Sequence, residues 1–402
     1  MTYRELLSLY KTGKLDDESR KEIEADIEKQ DAISEYLFED SEIPCLGASG
    51  DTAGQPDRAG IAAEDEKLAS MVRGSIRRAF LKMGVTVGAA VLVVVLCVIF
   101  LLPHAVSLFY YNPAQAVGMG AETGIETNRM SLDLSVYTEL FVPGCFRNQV
   151  ITESEGYGKY DITILQVSSY NQAFTNLNGK LERGRLTLYN TNILTPPPAN
   201  AFLIPGGMKT IHGNTGEAFG AAGTKSEAYG KLEKLDNNKW YMGYVSLSKI
   251  TGYQEFYQWL DKKKLAYGAL WCGVYAEDGK GSCTTQNMGF QVNPSGMCLD
   301  WDRDAYPYLS LLDNEAETQP VFGADDTETL LTHFTSLLRY IRDYGEILEM
   351  MGMEPMDFDG MISGVERDGL RTYGFAVAAT KETLLELSKD SAISYIYTQE
   401  LK

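Results

Sequence analysis

The sequence predicts a chain in several parts: a small all-α helical domain, one transmembrane helix, and a large α/β or α+β domain with a mixed sheet. Three observations predict it. From Met83 to Leu102, twenty residues pass without a charged side chain. Before that run, apolar residues pair at i, i+4 spacing. Well after it, a strand–helix–strand pattern occurs over 241–275 and again over 372–397. The 402 residues carry 36 basic and 55 acidic side chains, a net charge of −19. That balance argues against direct nucleic-acid contact, which needs clustered Lys and Arg. The three histidines (His104, His212, His333) are too widely spaced for a histidine-rich metal centre.

Residues 1–44 read as two helices. Leu6, Leu7, Leu9 and Tyr10 form an apolar stripe that ends at Gly13, a good residue just past a helix C-terminus. Asp16 and Asp17 then offer N-caps and a favourable negative first turn. Ile23 with Ile27, and Ile33 with Leu37, are i, i+4 pairs on the second helix. A pair this short is below the size at which a core usually sustains itself, so its stripe calls for a partner or a second copy. Residues 45–66 are small and polar without periodicity, a flexible linker. Together, residues 1–66 hold 18 acids and 7 bases, a net of −11.

Residues 67–82 predict a basic juxtamembrane helix with Lys67, Arg73, Arg77, Arg78 and Lys82 and no acid. Such a segment is attracted to anionic lipid by about 1 kcal/mol per basic residue. The transmembrane helix is expected over 83–109, since about twenty apolar residues at ~1.5 Å rise span a ~30 Å hydrocarbon core. A cleaved signal peptide has a shorter apolar core, about 7–15 residues near the chain start, so this reads as a signal anchor. His104 to Ala121 contains no Lys, Arg, Asp or Glu, so the positive-inside bias puts the N-terminus in the cytoplasm and the C-terminal part outside. The expected location is the cell membrane, single-pass.

Residues 110–130, rich in Gly and Ala, predict a stalk. Alternation at Leu132, Leu134 and Val136, at Ile162 and Ile164, and at Leu186 and Leu188 marks 131–235 as strand-rich. Within it, Thr195–Gly230 opens on three prolines and then carries seven glycines, a long connection. The α/β domain is expected over 236–402, where all four tryptophans (Trp240, Trp259, Trp271, Trp301) fall. Strands are expected over 241–247, 268–275, 372–378 and 392–397, with helices over 252–263 and 381–387. Leu330, Phe334, Leu337, Leu338, Ile341 and Leu348 fit one long amphipathic helix capped by Asp325 or Asp326. The alternation implies some parallel pairing.

Chemistry is scarce. No GxSxG elbow, phosphate loop, HExxH or dinucleotide fingerprint occurs. Asp300, Asp302 and Asp304 imitate the start of a calcium loop, but Ala305 and Leu311 stand where a glycine and a bidentate glutamate belong. They read as a solvated acidic turn. Four cysteines beyond the span, Cys145, Cys272, Cys283 and Cys298, allow three disulfide pairings or none. Neither an enzyme nor a cofactor is expected.

The N-terminal text, with Tyr10, Gly13, Leu15, Asp16 and then Glu22, Glu24, Asp26 and Ile27, resembles the cytoplasmic helical domain of bacterial anti-sigma factors. Where many of those carry a histidine and two cysteines for zinc, this chain has Asp26, Gln30 and Ile33, so the resemblance is to a zinc-free type. The segment from Gly243 to Ser248, then Tyr253, Phe256 and Tyr257, Trp271 to Tyr275, Tyr373 to Val377 and the closing Ser394 to Tyr397 look like the C-terminal domain of sigma factor regulators. The basic flank, single span and Tyr111-Asn112-Pro113 exit are similar to the matching N-terminal region.

That resemblance implies a membrane-anchored anti-sigma factor. It would hold an extracytoplasmic-function sigma factor at the cytoplasmic face and answer an envelope signal outside. Leu6, Leu7, Leu9, Tyr10, Leu15, Ile23 and Ile27 become the candidate contacts, with the acidic surface steering association. Release could follow cutting in the stalk, or an envelope protein or ligand bound outside, with the aromatic block Trp240–Tyr275 as the candidate concavity. The alternative is a membrane-anchored extracytoplasmic binding or sensor protein that does not act on a sigma factor.

Overall fold

A computed structural model describes residues 10, 20–21, 23–29, 58–124, 126–189, 196–198, 201–205, 225–266, 268–277, 287–293, 299–312 and 325–401. The chain divides into two compact units, Met1–Thr86 and Val87–Lys402. In the first, Tyr10, residues 20–21 and residues 23–29 are helical, and the Tyr10 hydroxyl donates to Glu24 Oε1 at 3.3 Å.

Helix α1 (Arg58–Leu96) continues through a π-helical turn, Cys97–Leu101, into α2 (Leu102–Ser107). From Met71 to Ser107 this is one helix long and apolar enough to cross a membrane, with none of its most apolar window buried inside the protein. The widened turn falls just before Pro103, which has no N–H to continue the helical bonding.

Beyond it, β1 (Ala116–Val117) pairs with β2 (Thr127–Asn128), and α3 (Arg129–Phe141) follows at once. Leu132, Leu134 and Val136 are therefore helical, not strand. Met130, Leu132, Leu134, Val136, Tyr137, Leu140 and Phe141 are all buried. A helix covered on nearly every side loses its 3.6-residue stripe, and the i, i+2 spacing then misleads. Asn128 starts the helix by accepting from Ser131 N at 2.8 Å, and its amide donates to Val150 O at 2.7 Å.

The second layer is an antiparallel meander of β3 (Cys145–Gly156), β4 (Lys159–Ser168), β5 (Phe174–Glu182) and β6 (Arg185–Leu188). Ile162 and Ile164 lie in β4, and Leu186 and Leu188 in β6, as the alternation predicted. Buried residues alternate with half-exposed ones along β4, so one face of the sheet is covered.

After α4 (Lys225–Leu232), the third layer is built by β7 (Trp240–Gly252), α5 (Tyr253–Lys262), β8 (Ala269–Val274), β9 (Gly289–Gln291), α6 (Thr327–Asp343), α7 (Glu346–Met350), α8 (Phe358–Asp368), β10 (Arg371–Thr380), α9 (Lys381–Ser388) and β11 (Ile393–Glu400). Its strand order is β11-β7-β10-β8-β9, and every pairing among the described residues is antiparallel. The mixed sheet expected from the sequence is thus corrected. The units β7-α5-β8 and β10-α9-β11 do each run strand, helix, parallel strand. They interleave, however, so β10 stands between β7 and β8, and β7 between β10 and β11. A crossover fixes direction; it does not fix adjacency.

Both faces of this sheet are covered. Phe375 and Val377 of β10 join the core with Phe256, Leu260 and Leu384. Tyr373 and Ala376 of the same strand pack with Phe202, Tyr244 and Trp271 on the other face. Hence β8 reads as six buried residues in a row. The expected long helix breaks at Tyr344 and Gly345 into α6 and α7, and Asp326 caps α6 by accepting from Thr329 N.

Replacing Asn128 by Ala should lower stability by about 2 kcal/mol, from a lost cap and a lost strand bond. Asn128→Asp keeps the capping oxygen and should cost about 1 kcal/mol. Denaturant titration of the full chain in detergent measures both, and equal losses in the two variants would remove the cap from the account.

Candidate functional site at the end of the apolar helix

The strongest constellation lies where the apolar helix ends. In π-helical register, Leu102 N donates to Cys97 O, and the next donor, to Val98 O, would be the amide of residue 103. Residue 103 is proline, so that carbonyl has no helical donor. The Tyr157 hydroxyl supplies one at 3.0 Å.

Tyr157 sits at the tip of the β3–β4 hairpin, with φ +56° and Gly158 after it at +71°. Two positive φ values are those of a type I′ turn, which an aromatic residue adopts only against steric cost. The tip is held to the helix by further bonds. Tyr157 N donates to Pro103 O at 3.3 Å, and Gly158 N to Ser107 Oγ at 3.0 Å. Ser107 Oγ in turn donates to Pro103 O at 2.8 Å. A side chain at Gly158 would run into Tyr110, so glycine is required there by both φ and space.

A second tie begins four residues past Ser107. Tyr111 donates to Asp133 Oδ2 at 2.7 Å, and Tyr340 of α6 donates to Oδ1 at 2.5 Å. Asp133 is wholly buried. Arg129, one helical turn earlier on α3, approaches it at 3.5 Å and pairs with Glu346 at 2.8 Å. Its guanidinium lies 4.8 Å from the Tyr111 ring centre and 5.2 Å from that of Tyr344. Burial pushes the Asp133 carboxyl up to about 6, against the opposing pull of the two hydroxyls and Arg129. The same burial and the facing carboxylate push the Tyr111 and Tyr340 hydroxyls far up, so both remain donors.

Residues 110–130, expected as a stalk, are fastened along this path. Tyr160 donates to Asn112 Oδ1, Arg129 N to Gln115 O, and Met130 N to Pro113 O. Gly118, at φ +82°, leaves no room for a side chain beside the buried Asp300. Asp300 is thus not part of a solvated turn, whereas the exposed Asp302 accepts from the amides of Asp304 and Ala305 as a turn residue does.

A cleft of 470 Å³ opens beside the same exit, lined by Phe109, Tyr110, Arg183, Arg185, Glu349 and Met350 among others. The aromatic block suggested as a concavity is largely core, with only Trp240 at its edge exposed among its described tryptophans: the Phe202 ring centre is 5.6 Å from that of Tyr244 and 5.3 Å from that of Tyr373, and Trp271 is fully buried.

Of the residues singled out by sequence, Ile23 is buried within the chain, and Tyr10 and Ile27 are half-buried. Leu6, Leu7, Leu9 and Leu15 lie outside the described residues, as do Cys283 and Cys298. Cys145 and Cys272 are thiols. Burial pushes the Cys272 thiol up to about 12. Sequence reading missed Asp133, Arg129 and Tyr340; the i, i+4 pair Arg129 and Asp133 inside an apolar run was the available signal. No known family, curated protein or solved structure matches this chain.

Because the folded Asp133 holds its proton more tightly than an unfolded aspartate, its contribution is complete below about pH 4 and is lost as pH rises through 6. The stability difference between wild type and Asp133→Asn should therefore shift against wild type by about 2 kcal/mol from pH 4 to pH 7. Unfolding curves across that range check it, and a difference independent of pH would contradict it. Tyr157→Phe should speed amide exchange at the hairpin tip and in α2 roughly fivefold, the effect of one hydrogen bond. Exchange confined to neither segment would dissociate the tip from the helix.

Proposed function

We propose that this protein is a single-pass membrane regulator that holds an extracytoplasmic-function sigma factor at the cytoplasmic face. Its N-terminal residues form the holding segment, and its C-terminal domain receives an envelope signal outside the membrane. Three features support the reading: the N- and C-terminal resemblances described above, the five basic residues on one flank of the apolar run, and the acidic N-terminal segment. The observation that carries the signalling half is the double tie between the C-terminal domain and the helix end. Tyr157 is bonded to Val98 on one side and Tyr111 to Asp133 on the other.

A domain tied in this way transmits a change in its own packing to the helix, because neither bond survives a change of helix angle without a replacement donor. The sigma factor would be held through Leu6, Leu7, Leu9, Tyr10, Leu15, Ile23 and Ile27, of which Ile23 is buried within the chain. The cleft beside the helix exit favours, as a second reading, a tethered binding protein with no sigma factor.

The test is co-purification with the tagged full chain from membranes, followed by mass spectrometry. A small sigma factor in near-equal amount is expected, and Leu6→Asp with Tyr10→Asp should abolish its recovery and raise transcription from its promoters. A wild-type chain that recovers none while that sigma factor is expressed would overturn the reading.

A further inference from the structure

We infer that the cleft beside the helix exit binds the headgroup of a zwitterionic, amine-bearing phospholipid, with Arg183 and Arg185 taking the phosphate and Glu349 the ammonium. The inference rests on reading Met71–Ser107 as a membrane span.

Charge at this end of the meander is mostly satisfied within the chain. Lys159 pairs with Glu182 at 3.4 Å, and Lys180 with Glu155 at 2.9 Å and with Asp161 at 3.5 Å. Arg129 and Glu346 are engaged with each other at 2.8 Å. Three charged residues lining the cleft are left over: Arg183, Arg185 and Glu349 have no ion-pair partner among the described residues. The β5–β6 hairpin thus presents two guanidiniums that have no ion-pair partner among the described residues. In the same lining, α7 presents the carboxylate of Glu349.

The rest of the lining says where the ligand comes from. Phe109 and Tyr110 stand within three residues of Ser107, the last residue of α2. Leu108 and Phe109 are 86% and 85% exposed, as residues in contact with lipid would be. Aromatic side chains directly beyond a span sit at headgroup level. The Arg183 guanidinium lies 6.0 Å from the Tyr110 ring centre, and both residues line the cleft.

Met350 and Leu186 add an apolar wall, suited to the glycerol and first methylenes below a headgroup. A lipid with only negative charge meets the arginines well but leaves Glu349 facing like charge. A zwitterion with an ammonium answers all three groups, and guanidinium–phosphate pairing is among the strongest charge-assisted contacts.

The full chain, reconstituted in nanodiscs of phosphatidylethanolamine and phosphatidylglycerol in equal parts, is extracted in mild detergent, and the retained lipid is measured by native mass spectrometry. Wild type should retain phosphatidylethanolamine in about tenfold preference. Arg183→Ala with Arg185→Ala should lose the retained lipid, while Glu349→Gln should keep a lipid but lose the preference. Both variants alter exposed side chains, and unchanged melting curves verify their folding. Equal retention of the two lipids by wild type, or undiminished retention by the arginine variant, overturns the inference. A chain that fails to enter nanodiscs at all overturns the span reading and the lipid source with it.

Discussion

A carboxylate without an exposed atom sits where three separate stretches of the chain meet. Asp133 belongs to α3, Tyr340 to α6 and Tyr111 to the segment leaving the apolar helix, and each tyrosine spends its hydroxyl on one carboxylate oxygen. Removing a carboxylate from water costs several kcal/mol unless its lone pairs are met. The group is therefore tolerated only when all three stretches are in place. Ring contacts extend the dependence, for the Tyr340 ring centre lies 4.9 Å from that of Tyr344, tilted, and 5.3 Å from that of Tyr306, edge to face. Arg129, in contact with the rings of both Tyr111 and Tyr344, ties Glu346 into the same assembly.

From this point the path to the apolar helix is short. Tyr111 is four residues from Ser107, whose hydroxyl both accepts from the β3–β4 tip and donates to Pro103. Pro103 and the π-helical turn leave the Val98 carbonyl without a helical donor, and a residue in a costly left-handed conformation provides the replacement. An irregular helix and a strained turn are each unfavourable alone. Bonded to one another, each removes the reason the other would relax.

Much of the fold was legible because it follows periods that a single sequence displays. The strands at 241–247 and 372–378, the helices at 252–263 and 381–387, and the cap at Asp326 all follow from local pattern and appear in the structure. Three things were hidden, each for a physical reason. Burial on all sides erased the stripe of α3. Interleaving of two strand–helix–strand units made an all-antiparallel sheet from a pattern that suggests parallel neighbours. And the Gly- and Ala-rich composition of 110–130 suggested looseness, although at Gly118 the Asp300 side chain lies where a Cβ would be. The site was least legible of all: Tyr340 and Asp133 are 207 residues apart in sequence.

The two ties also differ in what can loosen them. The Tyr157 tie is made of neutral donors and acceptors, so protonation leaves it unchanged, and only a mechanical shift of the hairpin breaks it. The Asp133 tie includes a titrating carboxyl, and either protonation state keeps it hydrogen-bonded to the tyrosines while changing its attraction for Arg129. Arg129 is shared with Glu346 of α7, the helix that also carries Glu349 and Met350 into the cleft. A change at the cleft therefore reaches Asp133 through Arg129, and Asp133 reaches the helix exit through Tyr111. Glu346 lies on α7 and both Arg129 and Asp133 on α3, so a ligand that favours one packing of α7 against α3 also biases the position of Tyr111 through Asp133.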